Sequence, residues 1–252
     1  MKFSVITPSY NQGNFIGQTI ESVLSQAYPD IEYIVVDGGS TDNTIDILKS
    51  YGDRIKWISE KDNGQTDAIN KGMRMATGDI LSYINSDDYF LPNTFDIIFK
   101  IFKENPQLMW LDGQCLLVDE NGHKIQSLIT SYRKFLRLFP TKSMLSFANY
   151  ISQPSAFWRR EVMQEIGLFD ENLRYTMDYD YWMRLFEKYP VKIVKENFAC
   201  FRIHSSSKGG SQFKFQFVEE LQVLRKYNSN KFLYFLHYLH NLLIVTVYNI
   251  IK

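Results

Sequence analysis

Cysteine is scarce in this 252-residue chain: Cys115 and Cys200 are the two, and they form neither a CxxC pair nor a disulfide framework. A reducing compartment is the expected setting. Excess charge of one sign is also missing, since 28 lysines and arginines balance 28 aspartates and glutamates. The broad basic footprint of a nucleic-acid binder is therefore absent, local patches aside. The opening "MKFSVITPSYNQG" offers one lysine and a short apolar run broken by Pro8. That run is too short for the core of a signal peptide. The expectation is a cytoplasmic protein, with peripheral contact on the inner face of the membrane as the alternative. Repeats, low-complexity tracts and Gly/Ser linkers are lacking too. So is the glycine-rich turn after a first strand that dinucleotide and P-loop enzymes require, because "TPSYNQGNF" carries only Gly13 and no following Lys-Ser/Thr. Those two classes are excluded.

What the chain does have is alternation. "FSVIT" (3–7), "IEYIVV" (31–36), "RIKWIS" (54–59) and "DILSYI" (79–84) are short, largely apolar runs, as strands covered on both faces should be. Between them, "FIGQTIESVLSQA" (15–27), the segment after "DGGSTDNT" and "TDAINKGMRMA" (66–76) have helical character, the first with Ile16, Ile20, Val23 and Leu24 on one stripe. Such alternation predicts an α/β fold with a parallel, doubly wound sheet. Ligands bind beyond the carboxyl ends of such strands. Here those ends read "TPSYN", "VVDGG", "SEKDNG" and "NSDD".

The second half is less regular. Residues 94–104 predict a helix, 107–119 a kinked strand, and 131–146 a mobile or acceptor-side segment. Residues 153–167 predict a strand running into a helix. The spacing over 177–189 predicts a helix with Trp182, Leu185, Phe186 and Tyr189 inward, and 191–204 reads as a strand pair ending at His204. "FLYFLHYLHNLLIVTVYNII" (232–251) contains no Asp, Glu, Lys or Arg. Its length suits a membrane span, but His237, His240, Asn241 and Asn249 suit a helix packed on protein, on a second subunit or in the membrane interface.

Several carboxylates have two readings. Asp37 suits the amino edge of a base or the hydroxyls of a ribose, or else shapes its own turn. Asp42 reads as a helix cap. Asp87, in "NSDD", is either an Asx turn or half of a clamp for a hard cation and a diphosphate. His204 is either structural or a further ligand that would favour Mn²⁺ over Mg²⁺. Asp178 is either an N-cap or a general base, and Asp180 is its rival two residues on.

The blocks "ITPSYNQGNFIGQTIESVLSQAYPDIEYIVVDGGSTDNT", "NSDD" and "GLFDE...MDYDYWMRL" together resemble glycosyltransferase family 2 from Phe3 to about His204. The resemblance implies a GT-A fold, Rossmann-like with a mixed central sheet, over residues 1–210. Within it, 1–105 would form the nucleotide-binding half and 106–210 the acceptor half, and 211–252 would be a C-terminal helical extension. It also implies that Thr7, Pro8, Tyr10, Asp37 and Asp67 serve the nucleotide-sugar donor. Asn85, Ser86 and Asp87 would form the diphosphate and metal motif, with His204 as a late metal ligand and Asp178 as the base. The cofactor would be a divalent cation, Mn²⁺ or Mg²⁺. The partners would be a nucleotide sugar, a UDP-sugar by the compact "TPSYN" turn, and a glycan or lipid-linked acceptor. Two departures stand out. Asn85 replaces the first acid of the usual D-x-D motif, and Met177 precedes Asp178 where many members have Glu. A nucleotide-sugar-binding module without transfer activity is therefore the runner-up. A sugar-phosphate nucleotidyltransferase is disfavoured, because the Gly-rich basic loop it carries after strand one is missing.

Overall fold

The computed structural model describes residues 1–125, 128–204 and 213–251. The first half is a repeating strand–helix unit: β1 (Phe3–Ser9), α1 (Ile16–Leu24), β2 (Ile31–Asp37), α2 (Thr44–Ser50), β3 (Lys56–Ser59), α3 (Gln65–Met75) and β4 (Ile80–Tyr83). These four strands are parallel and ordered β3-β2-β1-β4. Ser9, Asp37 and Ser59 are in register at their carboxyl ends. Successive side chains of the buried strands feed two separate cores. Val5, Tyr33 and Val35 join Ile16, Ile20, Phe95 and Phe102 on one face, while Ile6, Ile34 and Val36 join Ile69, Met73 and the tryptophans on the other.

Beyond β4 the sheet becomes mixed. It continues through β5 (Tyr89–Phe90), α4 (Thr94–Glu104), β6 (Trp110–Val118), α5 (Leu128–Leu136), α6 (Lys142–Phe147), β7 (Ala156–Arg159), α7 (Arg160–Ile166), α8 (Met177–Lys188) and β8 (Lys192–Arg202). β7 pairs antiparallel with both β4 and β6, β8 runs parallel to β6, and the short β5 closes the edge antiparallel to β8. The sheet order is β3-β2-β1-β4-β7-β6-β8-β5. Trp182 on α8 stacks on Trp110 at 5.8 Å and meets Trp158 edge-on, so this helix is anchored by aromatic packing.

One sequence expectation needs correcting here. Residues 191–204 do not form a strand pair; β8 is one eleven-residue strand. Its alternation breaks at the exposed Lys195–Glu196–Asn197 because the ladder with β6 slips there, from Asp112–Ile193 to Gln114–Asn197. Gly113 lies at that slip, and a Cβ on it would come within 2.0 Å of the Phe198 ring. The segment 131–146, expected to be mobile or acceptor-side, contributes the end of α5 and most of α6.

The last helices, α9 (Phe213–Tyr227) and α10 (Lys231–Ile251), pack onto α8 and α6. The expected boundary at 210/211 lies outside the described residues. Among the described residues, no helix is long and apolar enough to cross a membrane. His237 and Asn241, which interrupt the apolar run of α10, are buried, with His237 Nδ1 2.9 Å from the Ser146 carbonyl. The polar residues of that run thus mark the face turned to protein.

Candidate active site

The parallel strands end in loops that are tied to one another by backbone donors. Asn11, in the left-handed region at φ 52°, accepts the Thr41 N–H through Oδ1 at 2.8 Å, and its own N–H reaches Ser40 Oγ at 2.7 Å. The Gln12 N–H goes to Thr44 Oγ1, and the Gly13 N–H to Asp42 Oδ2. Asp42 Oδ1 also accepts the Thr44 N–H in an Asx turn just before α2, whose N-cap is Asn43 rather than the expected Asp42. Asp37 is fully buried; its Oδ2 takes the N–H groups of Gly39 and Ser40 and the Ser59 hydroxyl, and its Oδ1 takes the Ser40 hydroxyl. Its carboxylate holds the turn, in which Gly39 adopts φ 82°, a conformation suited to glycine. Thr7 and Pro8 are buried beneath this cradle, and Thr7 accepts the Tyr33 hydroxyl. Tyr10 stands exposed at the rim. Asp67, in the first turn of α3, is nearly buried and accepts the Asn63 N–H at 3.0 Å.

The "NSDD" block lies between β4 and β5. Thr19 on α1 sits 2.9 and 2.6 Å from the Ser86 and Asp88 carbonyls. Asn85 accepts from Gln65 at 2.7 Å and donates to Asp88 and to Gln153. Asp88 is buried, and its Oδ1 takes the Arg202 N–H. Burial, then the neighbouring Asp87 charge, pushes the Asp88 carboxyl well above the usual carboxylate range. Asp88 therefore faces the fold.

Asp87 faces the other way, and the structure brings it to His204. Its Oδ2 lies 3.0 Å from His204 Nε2, although 117 residues separate them. The cause is Arg202 on β8. Its Nε donates to the Asp87 carbonyl and Nη1 to the Glu120 carbonyl, Nη2 reaches Gln18, and the guanidinium lies 4.8 Å from the centre of the Phe15 ring. His204, two residues further on, packs on the same Phe15 ring at 4.6 Å. One carboxylate oxygen and one imidazole nitrogen fit a divalent cation whose other ligands are phosphate oxygens. Among the described residues, no three His, Cys, Asp or Glu side chains converge on one point.

Asp178 opens α8 at its second residue, after Thr176 as the N-cap. It accepts the Tyr179 N–H at 2.7 Å and lines a cavity of about 360 Å³. Arg133 and Leu136 of α5, Gln153, Glu220 of α9 and Asn241 of α10 are among its other walls. Burial pushes the Asp178 carboxyl up to about 6; the Tyr179 N–H opposes this and the Glu220 charge adds to it. Asp180 is engaged elsewhere, held by Arg184 at 2.8 Å, Lys226 at 3.2 Å and the Tyr227 hydroxyl at 2.7 Å. The two halves of the site meet at the end of β4. Gln153 donates to the Tyr83 carbonyl and accepts from Asn85, and the Tyr83 hydroxyl is raised by burial and then by the charges of Asp178 and Asp88.

Sequence reasoning passed over three residues of this site. Arg202 draws Asp87 and His204 together, and Gln153 joins the cavity to Asn85. Glu219 on α9 accepts the N–H groups of Arg174, Tyr175 and Thr176 and so fixes the loop that leads into Asp178. A buried arginine two residues before a candidate ligand was the one available signal.

Comparison with known proteins agrees with the fold. The chain is 32% identical over 210 residues to an uncharacterised glycosyltransferase of Rickettsia prowazekii, covering 81% of this chain and 64% of that protein. It is 26% identical over 196 residues to the chondroitin synthase of Escherichia coli, covering 77% of this chain and 28% of the synthase. The chain thus spans less than two thirds of the length of these relatives. Among solved structures, S. aureus TarS 1-349 in complex with UDP-GlcNAc superposes with a TM-score of 0.69 at 19% identity, over 90% of this chain and 71% of that one. The mannosyltransferase PcManGT from Pyrobaculum calidifontis, in complex with GDP-Man and Mn²⁺, superposes with a TM-score of 0.72 at 18% identity, over 95% of this chain and 70% of that one. At those identities the likeness is one of fold, and the fold is of the GT-A type. The family model described as "Glycosyl transferase family 2" matches residues 4–167, and the chain belongs to that family of glycosyltransferases.

Proposed function

We propose that the chain moves a sugar from a UDP-sugar to a hydroxyl of a glycan, polysaccharide or lipid-linked acceptor, with inversion at the anomeric carbon, in polysaccharide biosynthesis. A divalent cation, Mn²⁺ or Mg²⁺, is the cofactor. The observation that carries the reading is the pairing of Asp87 with His204 at the strand ends, with Asp178 in a cavity joined to them through Gln153. TarS has been solved with UDP and with UDP-GlcNAc, and PcManGT with GDP-Man and Mn²⁺, which supports a nucleotide-sugar donor and a metal.

In this reading the loops around Tyr10, Asp37 and Asp67 receive the nucleoside, with Thr7 and Pro8 supporting them from below. Asn85 and Ser86 shape the diphosphate turn. Asp87 and His204 hold the cation, which when bound offsets charge on the leaving diphosphate. Asp178 takes the proton from the acceptor hydroxyl. The acceptor oxygen then bonds to the anomeric carbon as that carbon's bond to the diphosphate breaks, and the electron pair leaves with the diphosphate. A carboxyl raised to about 6 is a stronger base than an ordinary aspartate and is still ionised at neutral pH. Nothing in the site marks a second nucleophile, so a single displacement is the reading.

A thermal-shift series with UDP, GDP and ADP, each with and without Mn²⁺, tests the donor side. UDP with Mn²⁺ should give the largest stabilisation; equal shifts for all three, or none, would overturn it. Slow hydrolysis of the donor in Mn²⁺, lost in Asp87→Ala, separates a transferase from a module that only binds nucleotide sugars.

A further inference from the structure

The outer face of α10 is apolar and uncovered. Phe232, Phe235, Tyr238, Leu239 and Leu243 are all exposed, Phe232 by 65% and Leu243 by 62%. Their spacing places them on one arc of the helix, opposite the buried His237 and Asn241. A second exposed apolar group lies next to it. Tyr132 of α5 stacks on His240 of α10 at 5.6 Å, and one turn further along α5 the chain presents Phe135, Leu138 and Phe139 to solvent, Leu138 by 68%. Neighbouring uncovered faces of this kind mark a contact surface.

The charge around this surface identifies the occupant. In a chain of zero net charge, no aspartate or glutamate occurs between Glu120 and Glu161, and none after Glu220. Those two stretches contain α5, α6 and α10. The exposed Lys134 sits beside Phe135, and the exposed Lys231 opens α10 beside Phe232. The acid-free composition is thus concentrated where the apolar side chains are exposed, and the rest of the chain carries the compensating acids. Aromatic and leucine side chains on one arc, with lysines at its edge and no acid on the helix itself, match the interface of a bilayer bearing anionic headgroups; Glu220 and Glu187, which approach from neighbouring helices, lie against His237 and Lys142. A protein partner of matching shape would call for no such exclusion of acids.

We propose that the outer face of α10 and the adjoining Phe135–Leu138–Phe139 corner dock this protein in the plane of an anionic membrane surface, without spanning it. The arc runs along the helix side, so α10 lies flat, with its aromatic rings at headgroup depth. The cavity holding Asp178 is walled by the inner side of the same helix, through His240 and Asn241. Docking therefore brings that cavity next to the lipid surface. This inference concerns the helix surface and stands apart from the transferase reading.

The test is vesicle co-sedimentation of the full chain, alone and as the Leu239→Glu/Leu243→Glu double variant. Phosphatidylglycerol vesicles should bind the protein at least tenfold more tightly than phosphatidylcholine vesicles. About 0.5 M salt, which shortens the Debye length to a few ångströms, should weaken that binding. The double variant should lose binding by at least tenfold while keeping its melting temperature and its nucleotide-induced thermal shift, because both leucines are exposed and remote from the strand ends. Light scattering supplies the second readout, and a monomer in both forms is expected. Absence of binding to phosphatidylglycerol, or binding that the double variant retains, overturns the proposal. A dimer that the double variant dissolves would also overturn it, by showing that a second copy covers the face.

Discussion

Replacing Asp178 by asparagine should stabilise the protein and stop it working. Burial raises the Asp178 carboxyl from its ordinary 3.8 to about 6. An acid with a raised folded-state value binds its proton more tightly when folded, so between about pH 4 and pH 6 the folded chain holds more protons than the unfolded one. Stability is therefore fullest below 3.8 and is lost as pH rises through 6. A rise of about two pH units corresponds to about 3 kcal/mol, and this is an upper limit because the side chain borders a cavity that admits water. The amide keeps an oxygen for the Tyr179 N–H but carries no charge. Asp178→Asn should thus gain up to about 3 kcal/mol at pH 8, several degrees in a chain of this length, with the gain vanishing near pH 3.5. Its turnover should fall by ~10²–10⁴ while the nucleotide thermal shift stays unchanged. In the unaltered protein, turnover should fall about tenfold per pH unit below 6 as the base is protonated. Urea melts across pH and donor-hydrolysis rates on the same preparations measure both effects. If Asp178 is only part of a helix start, the asparagine variant remains active and the reasoning fails. Asp180→Asn is the control: it weakens a buried cluster with Arg184 and Lys226 and should lose stability at neutral pH, with activity per folded molecule retained.

Asp87→Ala should abolish most Mn²⁺-dependent stabilisation by UDP and His204→Ala should reduce it in part; unchanged shifts in both, or full shifts in chelator, would return "NSDD" to the status of a turn. Glu219→Ala should cost about 2 kcal/mol or more, since three N–H groups lose their acceptor, and should lower turnover without reducing the nucleotide thermal shift. A second pH effect of opposite sign concerns Glu32: burial opposes its charge, but Lys56, Ser4 and Thr77 prevail and hold it at about 2. It should contribute stability above pH 4.5 that is lost as pH falls towards 2, and Glu32→Gln should flatten that part of the acid melt.

The parallel half of the fold was legible because strands covered on both faces need apolar residues at every position, and such runs stand out. The antiparallel half was not. β5 has two residues and carries no pattern, and the slip at Gly113 interrupts the alternation of β8 and mimics a break between two strands. The apolar residues of segment 131–146 serve two surfaces, Leu136 and Leu145 the core and Phe135, Leu138 and Phe139 the solvent, so no single stripe marks its helices.

For the site, short motifs named side chains without saying which partners each would meet. Asp37 and Asp87 both end strand-to-loop turns, yet one is buried under four hydrogen bonds and the other reaches a histidine. The difference comes from Arg202, whose hold on the Asp87 backbone spans 115 residues and has no local signature. Asp178 and Asp180 make the same point more sharply. Both stand in the first turn of one helix, both are capable of being a cap or a base, and spacing says only that they face apart. What tells their surroundings apart is Lys226 and Tyr227, 46 and 47 residues away on α9. They pair with Asp180, while Asp178 borders the cavity with a carboxyl raised by its own burial. Which of two neighbouring carboxylates stays open to a cavity depends on partners brought in from distant helices, and the local sequence does not record them.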